Sequence, residues 1–172
     1  MLKGNEPLVI EPRFENLAEK KLLGMLQQMS FVHNTTRELW QRFMPRRKEI
    51  TNSIGKELFS LEIYKAGFFD SFDPAVEFVK WAAVEVADFD QVPAGMHLLT
   101  IPEGLYAVFI HTGPASEGAR TYEYIFRTWL PAVPFKVDDR PHFALMGDKY
   151  KNNDPESEEE IWIPVKPRGG ID

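Results

Sequence analysis

KWAAVEV at Lys80 to Val86 and EEIWIPV at Glu159 to Val165 decide how this chain is read, because they end two stretches of similar plan. Set side by side without a gap, Trp81 falls opposite Glu160. Both segments alternate and carry β-branched and aromatic residues, which predicts extended chain.

Working backward from the first ending, Leu58 to Tyr64 (LFSLEIY) is a second strand with Phe59, Leu61 and Ile63 on one side. It joins Val76 to Val86 through the connection Gly-Phe-Phe-Asp-Ser-Phe-Asp-Pro. Before it, Thr35 and Glu38 have capping-box spacing, and Leu39, Trp40, Phe43 and Met44 follow as an apolar stripe. Pro45 costs a backbone bond if that helix continues. The run Leu22 to Leu26 fits helix or strand by pattern. The glycine at 24 and the polar Gln27-Gln28 favour a strand that another backbone approaches closely.

The series restarts after Val92-Pro93-Ala94-Gly95. Met96 to Thr100 and Leu105 to His111 read as extended runs, broken at Pro102-Glu103-Gly104. Tyr122, Ile125, Phe126, Trp129 and Leu130 then recur at helical spacing, and Pro131 and Pro134 are expected to end the helix. Phe143 to Met146 and Ile161 to Val165 are the closing strands. The expected fold class is α+β: duplicated β-α-β-β halves sharing one antiparallel sheet, helices on one side, and a central ligand groove where the halves meet. The expected division is a lead at 1–11, a domain at 12–166 with halves at about 12–91 and 95–166, and a tail at 167–172.

Composition narrows the partners. Of 172 residues, 44% are hydrophobic and 13% aromatic, which supplies a core and the walls of an apolar pocket from one stock. A formal net charge of -6 argues against direct nucleic-acid binding, for which basic residues cluster; Arg46-Arg47-Lys48 is followed at once by Glu49. Cysteine is absent, so disulfides and thiolate metal sites are excluded. The stretch Met1 to Pro12 has no apolar signal core, and no run approaches membrane-spanning length; a cytoplasmic location is expected.

Site chemistry points to carboxylates among rings. Glu160 shares strand parity with Trp162 and reads either as a solvent-edge charge after Glu156, Glu158 and Glu159, or as a pocket acid that attracts a cation. Trp81 offers a stacking face and a donor, with Glu85 on the same side of the strand; the plainer reading is a core Trp and a surface Glu. Tyr64, Tyr106, Phe109 and Tyr150 are further wall candidates. The histidines at 33, 97, 111 and 142 lack metal-site spacing, although His142 is placed to approach the groove from its strand. No GxSxG elbow, phosphate loop or EF-hand loop occurs, so no metal or cofactor is expected. Gly169-Gly170 reads as a turn.

The two β-α-β-β readings, LLTIPEGLYAVFIHTGP, the helix YEYIFRTWLP and the terminal EEIWIPV together resemble the GyrI-like small-molecule-binding family, related to effector-binding domains of AraC-type and MerR-type regulators. The resemblance covers roughly Pro12 to Lys166. It implies a duplicated antiparallel fold whose central cavity takes hydrophobic, often cationic molecules. It maps the acidic pocket residue to Glu160 or Glu85, and aromatic walls to Trp81, Tyr106 and Trp162. Since the domain takes up nearly all of the sequence, a standalone sensor or sequestering protein is expected. Some relatives hydrolyse cyclopropane-containing genotoxins. That alternative would make Trp81 the positioning residue and Glu160 or Glu85 the one that orients water. A protein-interaction domain is the remaining reading.

Overall fold

The computed structural model describes residues 9–169; most of the expected lead, and Gly170 to Asp172 of the expected tail, lie outside the described residues. Nine strands and two helical regions follow one another. They are β1 (Arg13–Leu17), β2 (Lys20–Met29), α1 (Thr36–Phe43), β3 (Leu58–Ile63), β4 (Phe78–Glu85), β5 (His97–Ile101), β6 (Gly104–Thr112), α2 (Gly118–Tyr124), α3 (Leu130–Ala132), β7 (Phe135–Val137), β8 (His142–Met146) and β9 (Glu158–Pro167).

All strand pairs are antiparallel, in the order β1-β6-β9-β8-β3-β4-β2-β5, with β7 added along β9. The order reads the same from either end. The seam is β3 against β8, and a rotation that exchanges these two strands also exchanges β4 with β9, β2 with β6, and β5 with β1. Each edge strand belongs by sequence to the other half. Leu17 and Lys20 are joined through Ala18-Glu19 alone, yet β1 lies at one end of the order and β2 near the other. Such a link spans roughly 10 Å at full stretch. The sheet must therefore curl until its ends approach, and Pro102-Glu103 between β5 and β6 imposes the same closure from the other side. The result is a half-barrel.

Side-chain alternation then sorts the core. The inner face gives one buried cluster drawn from β1, β2, β3, β4, β5, β6, β8 and β9, including Leu22, Phe59, Leu61, Trp81, Tyr106, Val108, Phe143 and Trp162, with no helical residue. The outer face gives three clusters: Met29, Phe68 and Phe78 form one, and the other two lie under the helical regions. Leu39 and Phe43 of α1 pack on Leu23, Met25, Ala82 and Val84, while Ile125 and Trp129 pack on Ala107, Phe109, Ile161 and Ile163. Both helical regions thus cover the same side of the sheet, as the binary pattern predicts.

Several local expectations change. Thr35 does precede α1 but makes no capping bond; its hydroxyl accepts from the Gln27 side chain, and Asn34 Oδ1 instead accepts the Thr36 N–H at 3.0 Å. Pro45, which was not expected to end the helix at once, is passed as a 3₁₀ helix over Met44–Glu49. Pro131 does not end the second helix either. The segment Ile125–Trp129 widens into a π-helical turn before α3. Proline lacks an N–H and crowds the carbonyl four residues earlier, and a widened turn relieves both. The strands β1 and β7 were not foreseen. Gly24 behaves as read: a Cβ there would lie 2.0 Å from Ala82 O and 2.6 Å from Ala83 Cα.

Candidate functional site

The inner face borders a half-open cavity of about 410 Å³ at the β3–β8 seam. Phe59, Phe143, Leu145 and Trp162 form most of its wall, Leu17 and Ile54 also line it, and Glu57, Glu85 and Lys20 bring charge to it. Its size falls in the range of small-molecule sites, as does its pattern of apolar wall and few polar groups. Phe143 and Trp162 stack at 5.2 Å with their planes 15° apart, and Phe59 meets Phe143 at 5.4 Å. Flat rings therefore already line up along one side.

Strand parity explains why these residues converge. Phe143 is paired with Trp162, Leu145 with Glu160, and Phe59 with Leu145, so all five face inward. Glu85 comes from β4, where it is paired with Leu22, and Lys20 comes from the start of β2. Lys20 Nζ lies 3.3 Å from both Glu85 oxygens, in a half-buried pair.

Glu85 and Trp162 line the cavity. Glu160 sits beside it, accepting Trp162 Nε1–H at 3.0 Å and an Arg13 N–H at 3.0 Å. The Arg13 guanidinium also lies 5.8 Å from the Trp162 ring centre. Trp81 is 5% exposed within the inner-face cluster, and among the described residues its indole N–H finds no acceptor. Tyr106 is fully buried behind the wall; its hydroxyl donates to Pro141 O at 2.8 Å, and burial raises its pKa far above the phenol range. Tyr64 belongs to a different place, a recess of about 210 Å³ that it shares with Phe69, Arg140 and His142. Phe109 packs under Trp129 on the outer face, and Tyr150 lies in the loop before β9.

His142 is paired with Glu62 and so faces outward, away from the cavity. Burial, with Arg140 adding to it, lowers its pKa to about 3 and keeps the ring neutral. His111 holds Thr121 Oγ1 at 2.7 Å and Pro114 O at 3.0 Å. No group of three or more His, Cys, Asp or Glu side chains among the described residues is arranged to hold a metal. The two arginines of the basic run are engaged locally: Arg46 binds Glu49 at 2.7 Å and Ala94 O at 2.6 Å, and Arg47 donates to Lys56 O. No helix among the described residues is long and apolar enough to cross a membrane.

Sequence reasoning missed the cations. Arg13 and Lys20 lie ahead of Leu22 to Leu26, the first run whose pattern could be read, and nothing local links Arg13 to a carboxylate 147 positions away. Phe59 and Phe143 were read as strand residues; their shared parity with Trp162 was the signal that could have placed them in one wall. With Glu85 accepting from Lys20 and Glu160 from Arg13, the arrangement can hold charge beside stacked rings.

Comparison with known proteins agrees with this geometry. Over 145 residues the chain is 29% identical to the transcriptional regulator BrlR of Pseudomonas aeruginosa, covering 84% of this chain and 51% of that protein; it spans about half the length of this curated relative. The structure of SAV2435 bound to tetraphenylphosphonium superposes with a TM-score of 0.67 at 19% identity, covering 91% of this chain and 94% of that one. The C-terminal domain of EcmrR gives 0.69 at 14% identity, covering 93% and 99%. These likenesses establish the curled sheet with its two helical regions. The model of the GyrI-like small molecule binding domain matches residues 10–166, and the chain belongs to that family.

Proposed function

We propose that this chain binds a hydrophobic molecule, flat or cationic, in the inner-face cavity and serves as a sensor or sequestering protein for it. The observation that carries the reading is the roughly 410 Å³ apolar hollow at the seam, walled by Phe59, Phe143 and Trp162 with Glu85 at hand. Stacked rings provide area and a face for cation–π attraction. Glu85 and Glu57 stand against one ammonium, Lys20, among the residues lining the hollow. An incoming cation can share Glu85 with Lys20, while a neutral molecule gains only the apolar burial. SAV2435, of the same fold, has been seen with a bulky organic cation, which supports this choice of ligand class.

Calorimetric titration with N-methylquinolinium, and with quinoline at a pH where it is neutral, tests the proposal. Saturable binding is expected for the cation. It should weaken at least tenfold when Leu145→Trp fills the hollow or Trp162→Ala removes its wall. Absence of saturable binding, or affinity indifferent to both substitutions in folded protein, contradicts the reading.

A further inference from the structure

We infer that the outer face holds a second site, for a flat uncharged aromatic molecule, which the chain's own Phe69 occupies at rest. The Phe69 ring lies parallel to Phe126, 7° between planes at 4.7 Å. It also rests against His142 at 5.5 Å and meets Tyr64 edge-on at 4.9 Å. Phe126 comes from the π-helical turn, His142 from β8, and Tyr64 follows directly on β3. Three separate elements thus build a cradle for one ring, and the ring is delivered by a loop.

That loop, residues 65–77, is anchored by Phe68, buried against Met29 and Phe78, and its backbone is tied lightly on either side of that anchor. Its backbone bonds are mostly internal: Phe68 N–H to Lys65 O, Asp70 N–H to Gly67 O, and Val76 N–H to Asp73 O. Among the described residues, one backbone bond ties it to another segment, from Val32 N–H to Pro74 O at 3.1 Å. Gly67 at φ 78° makes the turn that presents Phe68 and Phe69. Most of the loop is exposed, Phe72 at 54%. Long connections fastened by side chains more than by backbone are the segments that open as lids.

The recess of about 210 Å³ opens at the edge of Phe69, with Tyr64, Gly67, Asp138, Arg140 and His142 around it. Lifting Phe69 would extend this recess onto the Phe126 face. The recess itself is charged, with Lys65, Lys136, Lys166, Asp70 and Asp139 also in its lining, whereas the cradle that Phe69 fills is built of rings. Glu62 is already paired with Lys80, and Arg140 with Asp138 at 2.8 Å. The imidazole of His142 is neutral. A ligand here replaces one ring by another and needs no counter-ion. The site lies on the opposite side of the sheet from the inner cavity, so it stands or falls separately from the function proposed above.

The ring and the ligand compete, so removing the ring should raise affinity by the inverse of the open fraction, about tenfold or more if the loop is open a tenth of the time or less. Equilibrium titration of the full chain with 2-naphthol reads this. Phe69→Ala should bind at least tenfold more tightly than the unaltered protein, Phe126→Leu in that background should remove the gain, and Trp162→Ala should leave it. Phe69→Leu, which keeps apolar bulk without a flat face, should give a smaller gain and serves if the alanine variant does not fold. Equal affinity in the unaltered and folded Phe69 variants overturns the inference. So does a gain that survives Phe126→Leu but vanishes with Trp162→Ala, because the probe would then be in the inner cavity.

Discussion

Trp162 Nε1 donates to Glu160 Oε1 across 3.0 Å from two positions along the same strand. The other carboxylate oxygen accepts from Arg13 at 3.0 Å, so one acid orients the indole and fixes the guanidinium that lies over it. This fastens a wall residue of the inner cavity without placing a free charge in it.

Removing the acid should loosen that wall more than it unfolds the protein. Arg13 and Glu160 are partly exposed, 44% and 29% by side chain, and such pairs contribute about 0–1 kcal/mol. Glu160→Ala is expected to cost no more than about 1–2 kcal/mol in urea unfolding, counting the lost indole bond. The binding of N-methylquinolinium should nevertheless weaken, since Trp162 loses its fixed orientation. Glu160→Gln, which can still accept from the indole, should recover most of the affinity.

Charge selectivity should reside in Glu85. Glu85→Gln keeps the shape and removes the carboxylate that Lys20 now holds at 3.3 Å. Binding of the cationic probe should fall about tenfold, the equivalent of roughly 1.4 kcal/mol, with little change for neutral quinoline. Equal losses for both probes in calorimetry would show that Glu85 acts through packing alone.

Two glycines separate close approach from idle permissiveness. Gly24→Ala puts a methyl 2.0 Å from Ala82 O, a backbone atom that cannot swing aside. Destabilisation of about 1–3 kcal/mol or more is expected in urea unfolding. Gly147→Ala meets Glu57 Cγ at an ordinary 3.7 Å and should change stability by no more than about 0.5 kcal/mol.

Acid should act through His142. Its pKa of about 3 in the folded chain lies below the ordinary 6.5, so the unfolded chain binds the extra proton first. The contribution to stability is complete above about pH 6.5 and is lost as pH falls toward 3, at up to about 1.4 kcal/mol per pH unit. His142→Leu should flatten the stability profile in that window relative to the unaltered chain. Parallel profiles in urea titrations at each pH would show that other groups govern the acid limit.

The duplicated plan was legible because it rests on periodicity: the outer-facing stripes of α1 and of Tyr122 to Leu130 are written in helical spacing, and β4 and β9 in alternation. Gly24 was legible for a related reason, being small where the pattern wanted bulk. β1 was not, because Arg13-Phe14-Glu15-Asn16-Leu17 sits at the sheet edge with Phe14 46% exposed. Its strand character comes from pairing with β6, far along the sequence. The aromatic cradle under Phe69 escaped for the same reason, since rings from β3, β8 and the second helical region meet only after the sheet has folded.

The chain's four tryptophans divide between the faces: Trp81 and Trp162 belong to the inner cluster, Trp40 and Trp129 to the outer ones. The indole N–H signals in a nitrogen–proton correlation spectrum therefore report which side a ligand enters. Titration with N-methylquinolinium should move the Trp162 signal most and leave those of Trp40 and Trp129 in place. Saturating shifts confined to Trp40 or Trp129, with Trp162 still, would contradict an inner-face binding cavity.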